Sequence, residues 1–230
     1  MKTIIFGLGN FGISLALKLT ETGNEVIGID LKMEKVNLVK DKIAHTICMD
    51  ATNELAYDSI PLKDANLAVV AIGENEGAAI ITTAILKKLT KAKIISRSLS
   101  PIHDTVLKAM GIEHIVHPEQ EAAEKLTSKI NLKNVIDSFN IDKNYSISEI
   151  QISEEMSGKT LQELSFRQNY NLNVVTIIRD CKKTNLLGNK MQKKEVIGIP
   201  NNNTKLQKND ILIVFGNNSD ISTFGAHLAG

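Results

Sequence analysis

Short apolar runs alternate with amphipathic stretches through the first half of the chain. Residues 3–6, 25–29, 45–48, 67–72, 93–96 and 113–116 have the length and composition of strands. Between them lie helical patterns: one carrying Phe11, Ile13, Leu15, Ala16, Leu17 and Leu19, one starting near Asn53, and two more over 76–89 and 101–110. Gly23 and Asn24 stop the first helix, and Gly111 stops the last. Strands joined by helices of this length predict a doubly wound, Rossmann-like parallel sheet of the α/β class with right-handed crossovers.

The pattern changes after Pro118. Ala122, Ala123, Leu126, Ile130, Val135 and Phe139 recur at three- and four-residue spacings, predicting one long helix over 119–139 that Asp142-Lys143-Asn144 breaks. Beyond it the chain reads as strands at 145–152, 172–179, 196–199 and 211–215, with short helices at 161–164 and 219–227. The polar stretch 180–195, with five lysines, Gly188 and Asn189, reads as a solvated hairpin loop. The expected organisation is a nucleotide-binding domain over 1–118, a crossover helix and linker over 119–141, and a small α+β domain over 142–230.

The first strand runs into Gly7, Gly9 and Gly12 in G-x-G-x-x-G spacing. The first glycine allows a tight turn, the second lets a pyrophosphate approach the backbone, and the third lets the helix pack on the strand. Asp30 closes the second strand, where a carboxylate accepts hydrogen bonds from both ribose hydroxyls and repels a 2′-phosphate. In such sheets ligands lie beyond the carboxyl ends of the strands, which makes Asp30, Asp50, Gly73 and Arg97 site candidates.

Charge and composition narrow the function. The 27 basic and 26 acidic residues nearly cancel, against a nucleic-acid backbone or an anionic lipid surface as main partner. No apolar run reaches the roughly 20 residues that cross a bilayer. The chain enters a strand at once, so no signal peptide is expected. Cys48 and Cys181, without Cys/His companions, point to a reducing cytoplasm and no zinc site. A dehydrogenase needs an acid or base facing the nicotinamide, yet the only histidine after residue 142 is His227. A nucleotide that shifts conformational populations is the favoured reading; an NAD-dependent oxidoreductase is the alternative.

GLGNFG at 7–12, Asp30, AIGEN at 71–75 and HPE at 117–119 together resemble the N-terminal RCK (regulator of conductance of potassium) domain, or TrkA-N. SGKTLQELSFRQNYNLNVVTIIR at 157–179 and IPNNNTKLQKNDILIVFG at 199–216 resemble the matching TrkA-C domain. A single such pair is the Ktr-type form. The resemblance implies a non-enzymatic regulatory subunit, cytoplasmic and peripheral on the inner face of the membrane. It would gate an integral-membrane potassium transporter of the Trk/Ktr kind, or a different ion transporter. It also implies homodimers assembling into an octameric ring, with NAD(H) or ATP/ADP as regulatory ligand.

Carried over by position, residues 7–12, including Asn10 and Phe11, form the pyrophosphate loop. Asp30, Leu31 and Lys32 surround the ribose, Asp50 and Ala51 flank the adenine, and Ile72, Gly73 and Glu74 line the far wall. Arg97 and His103 would meet phosphates, and Glu119 would bring a carboxylate, or a cation that it holds, near the nucleotide. Plain readings stand beside these: a strand end for Gly73, a surface ion pair for Arg97, a surface histidine for His103, a turn for His117 and a helix start for Glu119. Many relatives carry arginine where this chain has Asn10, which lacks a guanidinium's charge and forked donors. In some relatives the C-terminal domain binds cyclic di-AMP. Leu161, Leu164, Arg167, Asn171 and Pro200 occupy comparable stretches here, with the two leucines alternatively ordinary dimer-core residues.

Overall fold

The computed structural model describes residues 1–131, 134–184 and 190–228. The chain divides into two units, Met1–Glu121 and Ala122–Gly230. In the first, β1 (Lys2–Phe6), α1 (Asn10–Glu21), β2 (Glu25–Asp30), α2 (Met33–Asn37), β3 (His45–Cys48) and β4 (Leu67–Val70) lead into α3 (Glu76–Leu89). Then follow β5 (Lys93–Arg97), α4 (Pro101–Ala109), β6 (His114–Val116) and α5 (Pro118–Asn131), the last passing into the second unit. The helix expected near Asn53 is instead a pair of 3₁₀ turns, Glu54–Ser59 and Leu62–Asp64, the first capped by the Asn53 side chain.

The six strands form one parallel sheet in the order β3-β2-β1-β4-β5-β6. Alternate side chains of β1 serve opposite faces. Ile4 and Phe6 pack with Ile27, Ile29, Val70, Tyr57 and Leu86. Ile5 packs with Leu8, Val26, Val69 and Ala16 of α1. A sheet covered on both sides needs strands apolar at every position, which is why these segments read as unbroken hydrophobic runs. The strand order reverses between β1 and β4, so the chains leaving their carboxyl ends diverge and open a crevice.

The second unit is an antiparallel sheet, β10-β9-β11-β8-β7, whose core also takes in residues of short helices. Its strands are β7 (Val135–Asn140), β8 (Tyr145–Gln151), β9 (Asn173–Thr184), β10 (Lys190–Val196) and β11 (Ile211–Asn217). Its helices are α6 (Leu161–Leu164), α7 (Phe166–Tyr170) and α8 (Asn218–His227). Ile150, Leu172, Ile177, Leu212, Val214, Ile221 and Phe224 form its core. The fold class is therefore the expected one: a Rossmann-like parallel sheet followed by a small α+β unit.

Two local expectations are corrected. The helix predicted over 119–139 ends at Asn131, and Val135 and Phe139 belong to strand β7. Asn134, with φ of 60°, adopts a left-handed conformation that a helix cannot continue, and Val135–Asn140 pairs with β8. The strand predicted at 196–199 also lies earlier: β10 ends at Val196 and pairs with β9 through polar positions such as Lys194↔Asp180 and Glu195↔Arg179. Much of the stretch read as a solvated loop is thus hairpin ladder; residues 185–189, with Gly188 and Asn189, lie outside the described residues. An edge hairpin is specified by its register rather than by apolar content, so its polar arms carry little strand signal.

Candidate functional site

Gly7 leaves β1 with φ of +99°, and a Cβ there would sit 2.8 Å from the Ile72 backbone nitrogen. Gly12 is tighter: a Cβ would lie 1.9 Å from the Gly7 carbonyl oxygen. Between them Gly9 has open space, and the Ile13 N–H donates to its carbonyl at 2.9 Å to begin α1. The loop can therefore lie flat under a ligand. The N-terminus of α1 has no side-chain cap and no acid in its first turn, whereas Asn75 caps α3 and Ser100 caps α4. Uncapped first-turn N–H groups and the positive end of the helix dipole suit an anion.

Asp30 faces this loop from the end of β2. Its Oδ2 accepts from the Leu8 N–H at 2.7 Å and its Oδ1 from the Lys32 N–H at 2.9 Å, which fixes the carboxylate and leaves further acceptor capacity on both oxygens. Asp50, beyond β3, accepts at Oδ1 from the Thr52 N–H (2.9 Å) and hydroxyl (2.7 Å), and these bonds hold its carboxyl below the usual range. The Ala51 carbonyl accepts from the Tyr57 hydroxyl at 2.7 Å and from Thr82 at 3.3 Å. Burial pushes that phenol's pKa up.

Opposite these, Glu74 pairs with Lys35 at 2.8 Å and Lys32 at 3.4 Å, joining the β4–α3 loop to α2 and the residue before it. The pairing holds the Glu74 carboxyl below its ordinary value and Lys35 above its own. Arg97, at the end of β5, pairs with Glu119 in the first turn of α5. Its guanidinium lies 5.9 Å from the Phe11 ring centroid and over Gly73, where a Cβ would come within 2.2 Å of Nη1. The absent side chain at Gly73 is what admits the arginine.

These residues enclose a cavity of ≈ 530 Å³ within the first unit, inside the roughly 300–1,000 Å³ typical of small-molecule sites. Every residue predicted for the nucleotide site lines it except Gly12 and His103. Gly12 acts from behind the loop. His103 is fully buried, with Nδ1 accepting from the Leu99 N–H at 3.3 Å and Nε2 without a partner among the described residues; it is neither a surface histidine nor a lining residue. His117 does more than turn the chain, since its Nε2 lies 3.0 Å from Asp104 Oδ1. Ile29, Lys35, Thr52, Ala71, Asn75 and Ala78 also line the cavity and were not among the predicted site residues, although Ala71 and Asn75 belong to the AIGEN stretch. Of these, Thr52 and Asn75 carried a usable signal, as polar residues in the loops that follow strands β3 and β4.

In the second unit, Leu164 is a core residue, Leu161 packs against that core, and Arg167 donates to Asn173 Oδ1 at 2.8 and 3.1 Å. Asn171 adopts the left-handed conformation at the end of α7. Among the described residues no helix is long and apolar enough to cross a membrane, and no group of three or more His, Cys, Asp or Glu side chains could hold a metal ion.

The chain matches two family models in succession, the TrkA-N domain over residues 3–118 and the TrkA-C domain over residues 147–229. Ktr system potassium uptake protein C of Bacillus subtilis (strain 168) is 36% identical over 220 residues, covering 96% of this chain and 94% of that protein. Ktr system potassium uptake protein A of the same strain is 27% identical over 220 residues, covering 96% and 93%. Among solved structures, a GsuK channel bound to NAD aligns with 100% of this chain at a TM-score of 0.61 and 15% identity. This chain spans 39% of that channel chain, and the likeness is one of fold.

Proposed function

The chain belongs to the RCK family whose members couple a TrkA-N domain to a TrkA-C domain, in the single-pair Ktr form, and on that premise we propose that it is a nucleotide-controlled regulatory subunit of a membrane potassium transporter. The first unit binds an adenine nucleotide, NAD(H) or ATP/ADP, as an effector rather than as a reactant. The chain works at the cytoplasmic face of the membrane, as homodimers assembled into a ring. The observation that carries this reading is the cavity at the reversal of strand order. An uncapped helix N-terminus opens on one side of it and a fixed carboxylate, Asp30, on the other, the pairing that a phosphate and a ribose require. A ligand held there shifts the conformational equilibrium by its differential affinity for the two states.

Calorimetric titration of the purified full chain with ATP, ADP, NAD⁺ and NADH tests the binding step, and native mass spectrometry with and without ligand follows the assembly. Saturable binding with a changed assembly and no loss of NADH absorbance at 340 nm across a substrate panel is the expected result. Turnover would return the oxidoreductase reading. A separate titration with cyclic di-AMP tests a second effector site in the second unit.

A further inference from the structure

The charged side chains lining the cleft are paired within it. Glu74 takes both Lys32 and Lys35. Asp30 accepts from backbone N–H groups, and Asp50 from Thr52. The remaining cation, Arg97, is held differently. Its side chain is 13% exposed, seated on Gly73 beside Phe11, and its Nη2 donates to Glu119 Oε1. Its Nε–H is buried without an acceptor among the described residues. A guanidinium offers five N–H groups in a fork shaped for an oxyanion, and an orphaned buried donor is costly. Glu119 is the more exposed partner of the two, with 67% of its side chain open to solvent.

Building on the nucleotide reading of this cleft, we propose that Glu119 is an internal substitute for a ligand phosphate. A nucleotide with a terminal phosphate monoester takes Arg97 from Glu119, satisfying more of the fork than the carboxylate does. The displaced carboxylate stays in the first turn of α5, where the helix dipole favours it. Because the second unit begins at Ala122, on that same helix, the exchange occurs where the chain leaves the nucleotide domain. Arg97 thereby distinguishes ADP and ATP from adenosine, and the loss of its pair with Glu119 is the signal that binding generates.

The test is calorimetric titration of the full chain with ADP and with adenosine in EDTA, so that no metal bridges carboxylate and phosphate. Wild type, Glu119→Gln, Arg97→Gln and the double variant are compared, with melting curves as a check on folding. Removing the competing carboxylate should tighten ADP binding about fivefold, the equivalent of one partly exposed ion pair. Arg97→Gln should weaken ADP binding about tenfold or more through loss of charge-assisted hydrogen bonds. Adenosine affinity should stay the same in all four proteins, and Glu119→Gln should have no effect on ADP once Arg97 is gone. Weaker or unchanged ADP binding by Glu119→Gln would overturn the exchange, as would a gain that persists without Arg97, which would reflect through-space repulsion alone. Failure of the wild type to bind either ligand would instead remove the nucleotide reading itself.

Discussion

Gly12 has no room for a methyl group, because its Cβ would meet the carbonyl oxygen of Gly7, a backbone atom that cannot swing aside. Gly12→Ala is expected to destabilise the first unit by about 3 kcal/mol, the upper part of the usual range for overpacking, read from urea denaturation. Asp30 has two duties, since the carboxylate that faces the cavity also ties the Leu8 and Lys32 N–H groups. Asp30→Ala should therefore weaken adenosine binding by about 1–3 kcal/mol in calorimetry and lower the melting temperature as well. A loss of stability with unchanged affinity would mean that the carboxylate serves only the loop. The glycines and Asp30 were legible in the sequence because each answers a local demand of a strand–turn–helix unit. Arg97 resting on Gly73 was not, since their meeting depends on β4 and β5 lying side by side.

At the scale of elements, the strands of the first unit and helices α1, α3 and α4 fell close to their expected bounds, whereas α2 was not foreseen and the helix expected near Asn53 is a pair of 3₁₀ turns. Continuous apolar runs and capping residues such as Asn75 and Ser100 mark the ends of the foreseen elements locally. The second unit was harder to read because its central strand, β11, pairs across long separations with β8 and β9, and because the arms of the β9–β10 hairpin are polar. Arg179 of β9 shows what secures this sheet. Its Nε and Nη2 donate to the fully buried Asp210 at 2.8 and 2.7 Å, Nη2 also donates to the Lys205 carbonyl, and the Gln207 N–H donates to the same carboxylate. Arg179→Ala strands a buried carboxylate and should cost about 3–5 kcal/mol. Circular dichroism in urea should register that loss; a shift below 1 kcal/mol would show that water reaches Asp210 once the arginine is removed.

At the scale of the molecule, two units each bury a core of their own, and their responses to pH should differ. His103 lies in the first unit, where burial lowers its pKa below 6.5, an effect that Glu76 and Asp104 oppose without cancelling. The unfolded chain therefore binds the proton more readily than the folded one. The stability contributed by the neutral ring is complete above pH 6.5 and declines as pH falls toward the lower folded-state value. The lowered carboxyls Asp50 and Glu74 act only in a more acidic range, as pH falls from 3.8 and 4.5 respectively. Urea midpoints should consequently decrease between pH 7.0 and 5.5 in the wild type and change less in His103→Gln; equal slopes would exclude His103 as the cause.

What the sequence by itself determined was the class of the fold, the glycine turn after β1 and the carboxylate that closes β2. All of these follow from short-range sterics and from the unbroken hydrophobicity that a doubly covered sheet demands. Only the tertiary structure decided that Asn134 ends the helical pattern, that polar arms form the β9–β10 hairpin, and that His103 is buried. It alone brought Arg97, Gly73 and Glu119 to one wall of the cleft. The reason is physical: register, burial and ion pairing are set by neighbours far away along the chain, and a linear pattern carries no record of which distant segments will lie together.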